Sequence, residues 1–576
     1  MKIRMKHLML ATLLAGTLVS CKNNAPKETR LIPKDALAVV TLDAFSLKEK
    51  LRNDGITIDT LLGKIFEKDS AGKTDRKIFD DLRNNAGINW KEKLHFFVVQ
   101  KKAADNSDVS VMNLLGSLQD AAKLESFIQN TDYVKNKKIQ KDKEFSYIEG
   151  GENSLIAWNG ENIIAMSSSG KVKPYYDTLQ MKFIIPEKTD LTKEMLAEAT
   201  RMFTQKEAAS MRSVEGFRDM FKTKAAGYLF STTNNLLGSL TGMPLQLPKL
   251  EELLKNNYSA ATLAFEDGKI IVSSTTYTNP FLGSILKKYA GPTVDISLIN
   301  NYPSQHINGI MLASFNPEIF GGVLKQLEVE GLVNEFLKKS GISSQDLYAS
   351  LKGDIAVVIS DLGIAANEPQ QRDDELSLVK RKPGGKMILN IPVGNKESFR
   401  KLMNKAAEMG TVQKTETGFR GADLITTLGL YLEANDQQLI IASDSVTYRE
   451  YLQKTNKAVI NPEARDYFKG KSTALYIDLA NTIGGFIRDS TSNYYHSMLT
   501  AKNTVKDIMA SSLNFEGGKI KAVFELRMQN EKQNSLVTLM SLFTNIAADT
   551  RLQAKRDREM EEKLFPSGIP AVIRAN

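Results

Sequence analysis

The feature that most constrains the fold of this chain is an internal duplication. The segment AFEDGKI at 264–270 recurs as NFEGGKI at 514–520, and NGENIIAMSSS at 159–169 is similar to DQQLIIASDS at 436–445. Three further pairs keep the same order in both halves: 224–240 with 471–487, 84–99 with 338–359, and 35–45 with 306–315. The offset is about 250 to 275 residues, far above the roughly 20–50 residue period of solenoids and propellers. The sequence therefore predicts two tandem copies of one large domain.

Each copy alternates strand patterns with amphipathic helix patterns. Three pairs of turn residues lie between apolar runs: Asn159-Gly160, Asp267-Gly268 and Gly517-Gly518. Such pairs favour hairpins, because tight hairpin turns need positive φ. Segments 191–203 and 396–409 carry apolar residues three and four positions apart, as helices with one buried face do. We predict an α+β fold in which each copy is an antiparallel sheet covered by helices, with the copies at 31–297 and 298–550.

The N-terminus has the layout of a secretory signal over residues 1–20, with basic residues followed by an uncharged apolar run at 8–19. That run is shorter than the about 20 residues that span a bilayer. The sequence LVSC at 18–21 resembles the lipobox of bacterial lipoproteins. The resemblance implies cleavage before Cys21 and attachment of acyl chains, such as palmitate, to Cys21. Residues 21–30 are polar and predict a lipidated, flexible tether.

The resemblance to bacterial lipoproteins also predicts a localisation from the residues that follow Cys21. No Asp follows Cys21, which implies transfer to the outer membrane, where the acyl chains would hold the protein. The acidic cluster that directs some Bacteroidetes lipoproteins to the cell surface is absent from this segment. We therefore expect a protein anchored in the outer membrane, with the periplasmic face favoured over the cell surface.

Composition narrows the classes of function. The chain is 42% hydrophobic and 25% charged, and its net charge of +9 comes from interleaved basic and acidic residues. This distribution lacks the basic stripe of nucleic-acid-binding proteins. Cys21 is the only cysteine, and His95, His306 and His496 are far apart without metal-ligand spacing, so we predict no disulfide, metal or cofactor. We interpret His95, in the strand-like run LHFFVV, as a packed or edge residue.

Three sequence patterns bear on catalysis and nucleotide binding. GKST at 470–473 resembles the end of a phosphate-binding loop, but Arg465 occupies the position of the leading glycine and a strand follows instead of preceding. Asp43 and Asp478 end strands and precede helices, so we interpret them as helix caps and not as an acid–base pair. The chain has no Gly-x-Ser-x-Gly elbow. We predict that it binds no nucleotide and is not an enzyme.

Asp-Ser and Asp-Thr pairs followed by an aliphatic residue, Ala, Met or Thr resemble the O-glycosylation sequon of periplasmic enzymes of Bacteroidetes. They occur at 59–61, 69–71, 177–179, 444–446 and 489–491. The same pairs can cap helices, and Asp444 fits that alternative. By the resemblance, Thr60, Ser70 and Thr178 are candidate glycan acceptors.

Two segments lie outside the duplication. The polar connection 365–386 is long enough to predict a mobile exposed loop, and residues 551–576 predict a charged helix or tail that projects into solvent or meets a partner. We interpret Tyr175-Tyr176 as a half-buried helix edge. We also expect the two domains to meet along a broad interface that forms a cleft.

The lipobox, the segment LIPKDA at 31–36 and the twofold repeat together resemble a family of large Bacteroidetes lipoproteins known as a domain of unknown function. The shared motifs are structural, so the resemblance implies no active-site residues. We expect an outer-membrane-anchored lipoprotein with a non-enzymatic binding or scaffolding role and a protein partner in the cell envelope.

Two alternatives remain open. One is a glycan- or peptide-binding lipoprotein that serves a transport system, and an aromatic-lined cleft would favour it. The other is a hydrolase that uses carboxylates only, and two carboxyl groups about 5–10 Å apart in a cleft would favour it. A flat apolar patch on either domain would favour the scaffold.

Overall fold

The computed structural model of the 576-residue chain describes residues 24–53, 55, 57, 70–102, 108–130, 137–151, 153–170, 175–177, 182–184, 190–233, 249–300, 302, 304, 306–364, 383–453, 460–487 and 494–564. The chain divides into two compact units. Unit 1 comprises Met1–Ala44 with Leu82–Phe230, and unit 2 comprises Phe45–Asp81 with Ser231–Asn576.

Strands and helices alternate along the chain, as an α+β fold requires. The strands are β1 (Ala38–Leu42), β2 (Leu94–Lys102), β3 (Asp108–Ser117), β4 (Gln140–Lys141), β5 (Ser146–Glu149), β6 (Ser154–Trp158), β7 (Asn162–Gly170), β8 (Tyr175–Asp177), β9 (Lys182–Ile184), β10 (Gly227–Thr232), β11 (Tyr258–Glu266), β12 (Lys269–Tyr277), β13 (Ile307–Ser314), β14 (Asp354–Ile364), β15 (Pro383–Pro392), β16 (Val412–Lys414), β17 (Phe419–Gly421), β18 (Tyr431–Ala434), β19 (Gln438–Ala442), β20 (Thr473–Asp478), β21 (Val505–Ser512) and β22 (Lys519–Met528).

The helices are α1 (Ala44–Asn53), α2 (Ser70–Asn85), α3 (Ala121–Asn130), α4 (Thr192–Thr204), α5 (Glu215–Met220), α6 (Leu250–Leu254), α7 (Pro280–Lys288), α8 (Glu318–Gln326), α9 (Glu330–Lys339), α10 (Ser344–Ala349), α11 (Lys396–Glu408), α12 (Asp423–Thr427), α13 (Ser445–Gln453), α14 (Pro462–Phe468), α15 (Leu479–Phe486), α16 (Tyr495–Thr504) and α17 (Ser535–Leu564). Short 3₁₀ helices occupy Lys27–Leu31, Glu207–Ala209, Met211–Ser213 and Ile296–Ile299.

The sheet of unit 1 is antiparallel, with neighbouring strands in the order β4-β5-β6-β7-β3-β2-β1. The predicted hairpin at Asn159-Gly160 is confirmed, since Trp158 of β6 lies opposite Ile163 of β7. The Asn159 side chain accepts hydrogen bonds from the backbone N–H groups of Glu161 at 3.0 Å and Asn162 at 2.8 Å. An Asn side chain therefore closes this turn, in a manner typical of Asx turns.

The sheet of unit 2 is also antiparallel and continues through the order β11-β12-β22-β21-β20-β13-β14-β15-β19-β18-β17-β16. Its run β13-β14-β15-β19-β18-β17-β16 repeats the strand order of unit 1, with each strand in the corresponding place along the chain. Gly268, Gly517 and Gly518 have φ of 68°, 56° and 79° in the two closing hairpins, as their turns require. The predicted pair of tandem α+β copies is therefore confirmed.

The compact units divide the chain elsewhere than the predicted boundary between copies. Strands β11 and β12 form the closing hairpin of the first copy. Because β12 also pairs with β22, this hairpin belongs to unit 2. Pairing of strands decides this division, whereas the boundary at 297/298 rests on the sequence repeat and stays a prediction.

Helices pack against the sheets to form the cores. In unit 1, Trp158 of β6 packs with Leu124 and Ile128 of α3 on one face, and α4 packs against the other face. In unit 1, Phe97 and Val99 of β2 are fully buried, as are Met195 and Ala199 on the inner face of α4. In unit 2, the core combines side chains of β13, β14, β15, β19, β20 and β21 with Tyr448 of α13 and Phe468 of α14. The alternation of buried and less buried residues along the strands follows from the two-residue period of a strand.

The described part of the chain corrects three sequence predictions. Ala25 is 4% exposed and Lys27–Leu31 is a 3₁₀ helix with buried Glu28 and Thr29, so the predicted end of the tether at residue 30 is too late. Tyr175-Tyr176 begin strand β8 and are not part of a helix. The connection predicted over 365–386 ends earlier, because β15 starts at Pro383.

Several other predictions fall on residues outside the described ranges. These are the signal segment 1–20, Cys21, Thr60, Thr178 and residues 365–382. Ser70 begins α2, and the helix α17 continues through 551–564 of the predicted charged tail.

Candidate functional site

A buried polar cluster joins the N-terminal segment of unit 1 to its sheet. His95 on β2 lies directly opposite Thr41 on β1, and both side chains are fully buried. His95 Nδ1 lies 2.8 Å from the Thr41 hydroxyl, and His95 Nε2 lies 3.0 Å from a carboxylate oxygen of Glu28 in the 3₁₀ helix Lys27–Leu31. We call Glu28, Thr41 and His95 the N-terminal clamp. The prediction that His95 is a packed residue is confirmed, whereas its two partners were missed.

The charge state of Glu28 follows from its surroundings. Burial raises the pKa of the Glu28 carboxyl, but its interactions with His95, a hydrogen bond to its own backbone and the nearby Lys93 together leave this pKa below its ordinary value. Glu28 is therefore a carboxylate at neutral pH, which suits a buried acceptor of a hydrogen bond from imidazole.

The clamp has the residue types of a hydroxyl–imidazole–carboxylate triad. A nucleophile must contact its substrate, yet Thr41 and His95 have no exposed surface. The contacts instead tie Glu28 to a strand 67 residues further along the chain. The geometry therefore suits fixation of the N-terminal segment.

A second buried cluster in unit 1 surrounds Glu198 of α4, whose side chain is fully buried. It pairs with Lys101 of β2 and with Arg201, and Arg201 in turn contacts Asp35 at 2.9 Å. Burial lowers the pKa of Arg201, but hydrogen bonds to Asp35 and Glu198 raise it above its ordinary value. Each buried charge has an opposite charge beside it, which is the arrangement that makes burial tolerable.

Unit 2 contains a comparable buried pair. Arg527 of β22 donates two parallel hydrogen bonds of 2.5 and 2.6 Å to Asp507 of β21, and a third of 2.6 Å to Glu463 of α14. The bond to Asp507 raises the pKa of Arg527 above its ordinary value. Asp507 is 1% exposed, so this fork joins two strands and a helix from inside the fold.

The residues of the GKST segment and the two strand-end aspartates have structural surroundings. The Asp478 side chain accepts a hydrogen bond from the backbone N–H of Asn481 and caps α15, as predicted. Asp43 directly precedes α1 and contacts the Lys93 ammonium at 3.0 Å, and its capping role stays a prediction. Gly470 has φ of 72°, and β20 begins at Thr473, so the GKST segment leads into a strand instead of following one. Among the described residues, no group of three or more His, Cys, Asp or Glu side chains could hold a metal ion. None of the described helices combines the length and apolar character needed to cross a membrane.

The sheet of unit 1 has a second apolar face, opposite the buried residues of β2. Cross-strand register aligns Val40 of β1 with Phe96 of β2, Phe96 with Leu114 of β3, and Leu114 with Ala165 of β7. Residues directly opposite each other in antiparallel strands point to the same face. Parallel rows extend this face, and its apolar members are Val40, Leu42, Leu94, Phe96, Val98, Met112, Leu114, Ile163 and Ala165. We call this set the outer apolar face. At the β7 edge of the face, Ile163 packs against the core cluster that contains Trp158 and residues of α3, and Ser167 lies opposite Met112.

Four large side chains of this face are open to solvent: Leu42 is 42% exposed, Phe96 43%, Met112 38% and Leu114 46%. The face covers roughly 300 Å², taking about 4.8 Å for each of four strands and about 17 Å along five residues. Patches of this size on a soluble protein are often binding sites. A solvated sheet face would normally carry polar residues at these positions.

The second copy has apolar residues on the corresponding face of its sheet. Met311 of β13, which is 44% exposed, lies opposite Leu475 of β20 and Val357 of β14. Phe524 of β22 is 37% exposed and lies opposite Ala510 of β21. The outer apolar character is therefore a repeated property of the fold.

The outer apolar face was not predicted from the sequence, although a signal was present. β2 begins LHFFVV and β3 contains VMNLL, so apolar residues occupy consecutive positions instead of alternating ones. Consecutive apolar residues in an antiparallel strand indicate that both faces are apolar.

Comparisons with known proteins identify the family of the chain. A family described as Domain of unknown function (DUF4836) matches residues 28–536. Two solved structures of TP0453 resemble part of the fold: crystal form IV has 11% sequence identity and a TM-score of 0.23, covering 45% of this chain and 84% of that one. Crystal form I has 11% identity and a TM-score of 0.20, covering 48% and 89%. The comparison with curated proteins gives no match.

Proposed function

The chain belongs to the DUF4836 family, and we propose that it is an outer-membrane lipoprotein, anchored through Cys21, that binds a protein partner in the cell envelope through its outer apolar face. The proposed role is scaffolding without catalysis. The exposure of Leu42, Phe96, Met112 and Leu114 in adjacent rows on one sheet face is the observation that carries this role.

The chemistry of the face favours a protein surface as its ligand. The large exposed side chains of the face are Leu, Phe and Met, which offer no strong hydrogen-bond donor or acceptor that could orient a small polar substrate. Apolar burial is non-directional and grows with the area covered. Covering roughly 300 Å² removes apolar surface worth about 7 kcal/mol at about 25 cal/mol per Å², before the cost of association.

The anchor rests on the signal-like segment 1–20 and on the lipobox resemblance at 18–21. Acyl chains on Cys21 would each contribute about 0.8 kcal/mol per buried methylene, so two or more chains would hold the protein firmly. Replacing Cys21 by Ser tests the anchor directly. The variant is expected in the soluble fraction of lysed cells, without incorporated palmitate, and continued sedimentation with membranes would contradict the anchor.

The partner-binding role is tested by affinity capture from detergent-solubilised envelope with partners identified by mass spectrometry. The double variant Phe96→Gln and Leu114→Gln makes the centre of the face polar and is expected to reduce recovery of a specific partner at least about tenfold, because central apolar residues dominate binding energy.

The matched control is Leu332→Gln with Phe336→Gln on α9, two residues that are 72% and 69% exposed outside the face. Equal loss of partner in both variants would count against the outer apolar face, as would recovery of the unaltered protein alone. Tryptophan fluorescence confirms folding of the test variant, because Trp90 and Trp158 both belong to unit 1.

A further inference from the structure

The folded body of unit 1 begins very close to the proposed anchor. Ala25 is 4% exposed, and Leu31 and Ile32 are 1% and 0% exposed, so the packed structure starts four residues after Cys21. Four extended residues reach at most about 14 Å. A chain anchored at Cys21 would therefore hold the surface around Ala25 within about 14 Å of the lipid head groups.

Two segments form that surface. The backbone carbonyl of Arg30 accepts a hydrogen bond of 2.7 Å from the Gln205 side chain, and the backbone N–H of Lys34 donates one of 2.8 Å to Ala209. The backbone N–H of Met211 donates to the Ile32 carbonyl at 2.9 Å. Segments 26–34 and 205–212 are thus joined by several hydrogen bonds, and their side chains share one surface.

The shared surface is basic. Its exposed cations are Lys27, Arg30, Lys34 and Lys206, which we call the basic collar. Lys27 and Arg30 are three residues apart in a 3₁₀ helix, where such side chains lie on the same side.

The neighbouring acidic groups already have partners. Glu207 pairs with Arg212 at 3.2 Å, and Asp35 pairs with Arg201 at 2.9 Å. The four collar side chains take part in no ion pair with other described residues. The collar therefore presents uncompensated positive charge to whatever lies opposite.

We propose that the basic collar lies on the membrane and binds the phosphate groups of anionic lipids. This inference rests on the proposed anchor, because the short connection is what brings the collar to the head groups. Charge complementarity identifies the partner, since anionic head groups attract basic side chains within a Debye length of about 8 Å. The contact would fix the orientation of unit 1 on the bilayer.

The test uses the chain from residue 21 onward with Cys21→Ser, so that acyl chains make no contribution to binding. Co-sedimentation is measured with phosphatidylcholine vesicles and with vesicles containing about 30% phosphatidylglycerol. We expect binding to the anionic vesicles only, weakened strongly between about 0.05 and 0.5 M salt, because screening shortens the range of the attraction.

The variant Lys27→Gln, Arg30→Gln and Lys206→Gln removes three collar charges. Each basic residue near an anionic surface strengthens binding about fivefold, so the partition coefficient should fall roughly 100-fold. The matched control is Lys338→Gln, Lys339→Gln and Lys414→Gln, which removes the same charge from exposed positions in unit 2 and should leave binding within about twofold.

Equal binding of the protein to both kinds of vesicle would contradict the proposal that the basic collar binds anionic lipids. Equal loss of vesicle binding in the two triple variants would contradict it as well. These outcomes are separate from a failure of the anchor, which is measured by palmitate incorporation, and from a failure of partner capture.

Discussion

Glu28→Gln tests how the N-terminal clamp stabilises unit 1. Gln keeps the size of the side chain and an oxygen that accepts the hydrogen bond from His95 Nε2, 3.0 Å from Glu28 in the native protein. It removes the negative charge from a residue that is 7% exposed. A hydrogen bond to a charged group contributes about 1.5–3 kcal/mol, and a neutral one about 0.5–1.5 kcal/mol. We expect Glu28→Gln to lower the free energy of unfolding by about 1 kcal/mol at pH 7.

The pH dependence gives the sharper test. Because the pKa of Glu28 is lowered in the folded protein, its carboxylate contributes stability that is fully present above its ordinary value of 4.5. That stability is lost as the pH falls through the lowered, folded-state pKa. The difference between native protein and Glu28→Gln should therefore begin to shrink as the pH falls below 4.5 and approach zero below the lowered pKa, where Glu28 of the folded protein also becomes neutral.

The assay is urea unfolding followed by tryptophan fluorescence at several pH values between neutral and acidic. Both tryptophans, Trp90 and Trp158, belong to unit 1, so the signal reports the unit that contains the clamp. Trp158 is 1% exposed and should respond strongly to unfolding. The control Glu207→Gln, at an exposed ion pair, should change stability by less than about 0.5 kcal/mol.

A difference that stays constant from neutral to acidic pH would refute the reasoning, because it would assign the loss to packing and not to charge. No difference at neutral pH would refute it as well.

Three further changes test other contacts. Thr41→Val leaves His95 Nδ1 without its hydroxyl partner and should destabilise unit 1 by about 1–3 kcal/mol in the same fluorescence assay. Arg527→Met leaves buried Asp507 unpaired and should cost about 3–5 kcal/mol, measured by circular dichroism; a loss under about 1 kcal/mol would show that the pair is dispensable. Gly353→Ala puts a Cβ 2.0 Å from the Phe315 carbonyl oxygen at φ of 98°, so unfolding should occur at lower urea, whereas an unchanged midpoint would contradict the close approach.

Local patterns predicted the recurring elements correctly. The turn pairs before β7, β12 and β22 and the apolar spacing of α4 and α11 depend on residues close in sequence. The predicted tether is wrong over 25–30. The mostly polar residues there suggest a solvated chain, whereas Glu28 is buried against His95, a contact that local composition does not reveal.

The sequence by itself determined the duplication, the α+β class and the hairpin positions, because periodicity and turn chemistry act over a few residues. Only the tertiary structure decided which residues meet. Cross-strand register aligns Phe96 with Leu114 on one face of the sheet. The path of the chain also brings Gln205 to Arg30 and His95 to Glu28. Such contacts join residues far apart along the chain, so they depend on the pairing of whole strands and leave no signal in any short stretch.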